Sequence, residues 1–269
     1  MRRFAIAGIP RSGTSLAAKM ITEQVPDAYC VNEVDYLDSK RIPALMNIVA
    51  LRLSKGMPVR NRYGEDGKIE SDVVRNLRRH KIEAREAPGS YSDDPVVGIK
   101  GNTALDVELL LRRGFKILFL VRDPRFTLAS WAEAGRTPWR DVTEDNLSQW
   151  WRYHPFPWEA GPDNAIGRRV EVWQAFAEEI LHYTTMFPGE GTRTAPHPDD
   201  RCLLWTYEQL TADPNGFLRA FAIWFGLDMP AVVAGLENRN REDRFESNFA
   251  ELDMVVDSMA PARIGFGYE

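Results

Sequence analysis

The chain is poor in the residues that build covalent or metal staples. Two cysteines, Cys30 and Cys202, and four histidines, His80, His154, His182 and His197, are scattered over 269 residues. No spacing suits a zinc site, and a disulfide framework has too few thiols. Positive charge is also in short supply: the formal net charge is −5 and the sequence pI about 5.6, which argues against a general nucleic-acid role. No apolar run is long enough to span a membrane. The opening MRRFAIAGIPRSG has basic residues before an apolar stretch, but that stretch is short, ends at Pro10-Arg11 and lacks a small-residue cleavage site. These absences predict a soluble, cytoplasmic protein with no membrane span, no nucleic-acid partner and no metal.

What is present is ordinary globular composition, 44% hydrophobic and 27% charged, enough for a sizeable core. Apolar runs at 4–9, 95–101, 115–122 and 201–210, with a shorter one at 31–33, read as strands. They alternate with helical patterns. The first covers 14–23, with Leu16, Met20 and Ile21 facing inward. Others cover 42–53, 103–114 with Gly114 as its stop, 123–135 with Pro124 in its first turn, and a stripe of Val172, Trp173, Phe176, Ile180 and Tyr183. Phe217, Phe221, Trp224 and Phe225 mark a last helix, and 73–87 reads as an exposed helix. This alternation predicts an α/β, three-layer, P-loop-like fold: one domain over 1–269, with a central parallel sheet flanked by helices and ligands at the strands' carboxyl ends. Segments 41–95 and 136–165 look least like a shared core and are expected to act as lids or acceptor walls. The aromatic Trp139, Trp150, Trp151, Phe156 and Trp158 could line an acceptor cleft or simply pack.

Two strand ends carry chemistry. Gly8-Ile-Pro-Arg-Ser-Gly-Thr-Ser has the skeleton of a phosphate-binding loop, with Thr14 where a triphosphate enzyme has lysine. A strand running through a Gly-rich turn into a helix aims several backbone N–H groups and the helix dipole at one point. Gly13 permits close approach, and Thr14 and Ser15 offer hydroxyl donors. Without the lysine that bridges β- and γ-phosphates, a single phosphate-like group paired with Arg11 is the natural cargo; an empty strand–turn–helix corner is the alternative. At the second strand end, Arg122 is followed by Asp123-Pro124 and, eight residues on, Ser130. A guanidinium fork and a hydroxyl could hold a second anion there, or form a salt bridge and a solvated face. Two anion sites in one sheet suggest a nucleotide with a phosphate at each end of its ribose.

Together PRSGTSL, VRDPRFTLAS and WTYEQLTADP resemble, in order, motifs of the sulfotransferases that use 3′-phosphoadenosine 5′-phosphosulfate (PAPS). The arginine-containing loop is most similar to the tyrosylprotein and carbohydrate branches. The resemblance implies that Arg11, Ser12, Gly13, Thr14 and Ser15 bind the donor's 5′ end, that Arg122 and Ser130 take its 3′-phosphate, and that Tyr207 lies near the adenine. It implies adenosine 3′,5′-bisphosphate (PAP) as product and no metal. It also implies Glu33, 22 residues after Arg11, as general base, with Asp35 as fallback, and Lys100 and Arg11 beside the transferring group. Asn102 and Thr103 are expected to cap the following helix. The Gly-rich basic motif that completes the 3′-phosphate site in the cytosolic branch has only loose counterparts here, RNREDR and ARIGFGYE. The acceptor, a small molecule, sugar or peptide, is not legible, nor is the oligomeric state. A P-loop kinase for a small metabolite and a non-catalytic nucleotide-binding protein remain alternatives.

Overall fold

The computed structural model describes residues 1–32, 38–70, 81–102, 105–133, 165–186, 196–230, 232–234, 236 and 265–268. Five strands, β1 (Arg3–Gly8), β2 (Ala28–Asn32), β5 (Val96–Lys100), β6 (Lys116–Val121) and β7 (Cys202–Thr206), form one sheet in the order β2-β5-β1-β6-β7. Every neighbouring pair is parallel. Their near-continuous apolar sequences follow from burial on both faces. A separate antiparallel hairpin joins β3 (Val59–Tyr63) to β4 (Lys81–Arg85).

Helices cover both faces of the sheet. On one side α1 (Thr14–Gln24) and α7 (Pro214–Phe225) enclose a cluster with Phe4, Ile6, Leu118, Leu120, Phe217 and Phe221. The other side holds α2 (Ile42–Ser54), α3 (Val107–Arg112), α4 (Pro124–Ala132) and α5 (Ala165–Met186), packed on Ala5, Val97, Ile99, Ile117 and Phe119. A short helix, α6 (Tyr207–Ala212), follows β7 directly. The predicted α/β three-layer architecture is the one observed.

From β1 the chain crosses to β2, returns through β5, and then passes β1 to build β6 and β7. Connections therefore diverge on either side of β1, and the crevice at its carboxyl end is the switch point where α/β sheets bind ligands.

Several local expectations are corrected. The stretch 73–87 was expected as one helix, but Lys81–Arg85 is a strand. Its partner VRNRY alternates buried and exposed residues, a two-residue period too short to stand out in a charged segment. The second strand is Ala28–Asn32 rather than 31–33. In α1 the inward residues are Ala17, Ala18, Met20 and Ile21, with Leu16 only partly buried against them. The 103–114 helix starts at Val107, capped by Asp106, whose carboxylate accepts from the Leu109 N–H at 2.9 Å. The run read as a strand through Leu210 turns helical at Tyr207, because Thr206 and Gln209 form a reciprocal capping box. Finally, segment 41–95, read as least like a shared core, contains α2, which buries Ile42, Met46, Val49 and Leu53 in that core.

Candidate active site

The first corner begins where β1 ends. Ile9 N–H donates to Leu120 O at 3.2 Å, holding the emerging chain against β6, and Ser12 N–H donates to Ile9 O at 3.1 Å. Arg11 and Gly13 adopt φ of 73° and 80°. For a residue with a Cβ, the left-handed region costs roughly 1–2 kcal/mol, so Arg11 is held in a strained conformation. Helix α1 then starts with no side-chain cap and no acidic residue in its first turn. Its positive end is therefore left for an anion rather than neutralised internally.

Hydroxyls line this corner. Ser12 is fully buried and its Oγ has no partner among the described residues, an orphan whose desolvation a ligand oxygen would relieve. Thr14, in the place of the lysine, donates to Asn102 Oδ1 at 2.7 Å. Asn102, with φ of 48°, thus ties the first loop to the end of β5 instead of capping α3. Ser15 is half-buried in the first turn of α1.

The second corner begins where β6 ends. Asp123 caps α4 through Arg125 N–H at 2.8 Å, and its carboxylate also pairs with the Arg125 guanidinium. Arg122 is buried, 6% exposed. Its guanidinium carbon lies 4.7 Å from the Tyr207 ring centre and 5.8 Å from that of Phe126, and Nη1 donates to Arg11 O at 3.2 Å. Burial pushes the Arg122 pKa below its ordinary value, Tyr207 and Glu208 pull it back up, and Arg11 depresses it again. Two neighbouring guanidiniums, one of them desolvated, make a site that an anion stabilises.

The corners are joined. Arg11 Nε donates to Ser130 Oγ at 2.9 Å, and the indole of fully buried Trp131 donates to Pro10 O at 3.0 Å. Arg11 and Ser130, assigned by sequence to opposite ends of a nucleotide, are thus in direct contact. Tyr207 closes the wall behind them: a Cβ on Gly13 would sit 2.7 Å from its Cδ2. Hence Arg11, Gly13, Arg122, Ser130 and Tyr207 converge on one crevice at the switch point.

Lys100 ends β5, in register with Ile6 of β1 and Asn32 of β2. Ile6 packs in the cluster under α1, so Lys100 projects on the same face, at the carboxyl edge of the sheet. It is 3% exposed. Glu33 and Asp35 lie outside the described residues, as do Thr103 and the aromatic positions Trp139, Trp150, Trp151, Phe156 and Trp158. The point of departure toward Glu33 is nevertheless firmly held. Asn32 N–H donates to Asn61 Oδ1 at 2.8 Å, Asn32 Nδ2 to Glu70 O at 2.7 Å, and Asn61 Nδ2 to Cys30 O at 3.0 Å. One asparagine from the hairpin thus completes the open edge of β2.

Sequence reasoning missed Trp131, Asn61, Asn102 as a loop tether, and Glu208. Trp131 directly follows Ser130 and could have been suspected from that spacing. Asn61 carried no local signal, and Glu208 lies in the WTYEQLTADP motif, which gave no sign of its bridging contacts.

A strand-to-helix corner at the switch point of a parallel sheet, flanked by a second, arginine-bearing corner, is the geometry of an α/β protein with a crevice suited to an anion. The sulfotransferase-domain family profile matches residues 2–248, and the chain belongs to that family, whose reaction is sulfuryl transfer. Among solved structures, a sulfotransferase from Alicyclobacillus acidocaldarius is 14% identical, over 99% of this chain and 94% of that one, with a TM-score of 0.48. A mouse sulfotransferase, SULT7A1, complexed with PAP, is 14% identical over 94% of this chain, with a TM-score of 0.38. Retinol dehydratase, in complex with androsterone and inactive cofactor PAP, is 12% identical over 93%, with a TM-score of 0.32. The chain spans 65% of the length of each of the latter two. No curated protein sequence matches. Among the described residues no helix is long and apolar enough to cross a membrane.

Proposed function

We propose that this sulfotransferase moves a sulfuryl group from PAPS to a hydroxyl or amine of an acceptor by in-line displacement. The observation that carries the reading is the pair of cationic corners joined by the 2.9 Å Arg11–Ser130 hydrogen bond. One such corner suits any phosphate; two, sharing a crevice with Tyr207, suit a nucleotide charged at both ends of its ribose. The orphaned Ser12 hydroxyl and the uncapped start of α1 fit the 5′-phosphosulfate end. Arg122, backed by Tyr207, fits the 3′-phosphate.

Each residue then has a chemical task. Glu33, one residue beyond β2, takes the acceptor proton as the acceptor atom bonds to sulfur. The sulfur–oxygen bond to the 5′-phosphate breaks, and its electron pair stays on the phosphate. Arg11 and the N–H groups at the start of α1 stabilise that growing charge. Lys100 supplies a compact positive charge beside the transferring group. Alignment and charge compensation supply most of the acceleration, as in loose phosphoryl transfer.

The experiment is a thermal-shift titration. At a hundred times its dissociation constant, PAP without Mg²⁺ should raise the melting temperature by roughly 5–10 °C. Stabilisation by Mg-ATP instead would favour a kinase and overturn the reading. Glu33→Gln should cut turnover about a hundredfold or more while leaving PAP affinity within about twofold; full activity would remove Glu33 as the base.

A further inference from the structure

Residues 265–268 return to the back of the crevice from far along the chain. Phe266 is 3% exposed and meets the Trp173 ring edge-to-face at 6.2 Å. A Cβ on Gly265 would lie 2.8 Å from Leu181 Cδ1, so this stretch lies flat on α5. Gly267, with φ of 80°, then turns the chain, and Tyr268 packs against the core edge with its hydroxyl donating to Glu208 Oε2 at 2.8 Å. The other carboxylate oxygen of Glu208 accepts from Asp123 N–H at 3.3 Å.

Glu208 therefore bridges two pieces of the candidate site. It follows Tyr207, the ring packed on Gly13 and Arg122, and it holds the backbone amide immediately after Arg122. Asp123 in turn caps the helix that carries Ser130. Burial, then the adjacent Glu208 carboxylate, push the Tyr268 pKa far up, so the phenol stays neutral and keeps its proton for donation. A charge-assisted bond from a neutral phenol to a half-buried carboxylate is among the stronger and more directional contacts available.

We infer that Tyr268 is a positioning residue: through Glu208 it fixes Tyr207 and the Arg122–Asp123 turn, and so sets how tightly the corner at Arg122 grips its anion. The inference rests on the donor reading above. Tyr268 itself touches no reacting atom.

The test compares PAP with adenosine 5′-monophosphate, which lacks the 3′-phosphate, by calorimetry on the full chain. Wild type should prefer PAP strongly. Tyr268→Phe should lose about five- to tenfold of that preference, with the monophosphate affinity changed less than about twofold. In turnover assays the donor KM should rise while kcat stays within about twofold. Glu208→Gln, which keeps an acceptor but not the charge, should give a smaller loss of the same sign. Phe266→Leu serves as the packing control: it should lower the melting temperature and leave the preference intact. An unchanged preference in Tyr268→Phe overturns the inference, and so does an equal loss in Phe266→Leu, which would make the effect one of general packing. A wild type with no preference for PAP would instead sink the donor reading, and this inference with it.

Discussion

Replacing Gly13 by alanine tests the geometry of the first corner with one added carbon. At φ of 80° the new residue would sit in the left-handed region, at a cost of about 1–2 kcal/mol to folding. For a domain of this size that corresponds to a fall of roughly 2–6 °C in melting temperature. The added Cβ would also stand 2.7 Å from Tyr207 Cδ2 and 3.3 Å from Cε2, where ordinary contact begins at 3.4 Å. The ring must retreat, and it is the ring against which Arg122 is stacked at 4.7 Å. A disturbed stack of this kind is worth about 1 kcal/mol, so PAP affinity should fall on the order of tenfold once lost loop geometry is included. Calorimetric titration with PAP and a ligand-free melting curve measure the two effects separately. A double-mutant cycle with Tyr207→Leu isolates the clash: part of the binding loss should vanish when the ring is already gone. If Gly13→Ala binds PAP within twofold of wild type, or if the losses simply add, Tyr207 is not the wall of this site.

Three other outcomes follow from the same structure. Arg122→Ala should lower PAP affinity at least a hundredfold, since it removes a desolvated guanidinium from a paired cationic site; unchanged affinity, by fluorescence competition, would reject the second corner. Trp131→Phe keeps an aromatic side chain but loses the indole N–H and the ring that bears it, stranding the Pro10 carbonyl beside a small void. It should cost at least about 2 kcal/mol of stability and loosen the first loop, as urea denaturation and donor KM would register; identical unfolding midpoints would refute the tether. Lys116 donates to the Trp224 carbonyl at 2.8 Å and lies over the Trp224 and Phe225 rings, and burial lowers its pKa to about 8 despite the nearby carboxylates of Asp200 and Asp199. Because the folded pKa is the lower one, the unfolded chain binds more protons between about pH 8 and 10.5, so this group's contribution to stability rises with pH there. Lys116→Met should flatten that rise in denaturation curves; a steeper rise in the variant would contradict the assignment.

The strands of the parallel sheet, the second only in part, were legible in their order because parallel strands buried on both faces leave almost unbroken apolar runs, as in KILFLV. Both candidate anion corners stand out in the sequence for a related reason. A loop that must place N–H groups and a guanidinium at a strand end needs its glycine, hydroxyl and arginine within a few residues of one another, and GIPRSGTS and VRDPRFTLAS keep them there. The β3–β4 hairpin was not legible, since its period is short and its residues charged. Nor was the start of α3, where Asp106 and not Asn102 caps the helix.

What the linear chain determined by itself is a parallel α/β fold with two candidate phosphate corners, because the chemistry of each corner is local. Only the tertiary structure decided that Arg11 meets Ser130 across 119 residues, that Asn61 seals β2 before Glu33, and that Tyr268 reaches Glu208 across 60. Those contacts join separate elements at the carboxyl edge of the sheet. A sequence records which groups each element carries, whereas their meeting depends on strand order and helix packing, which no short window of residues contains.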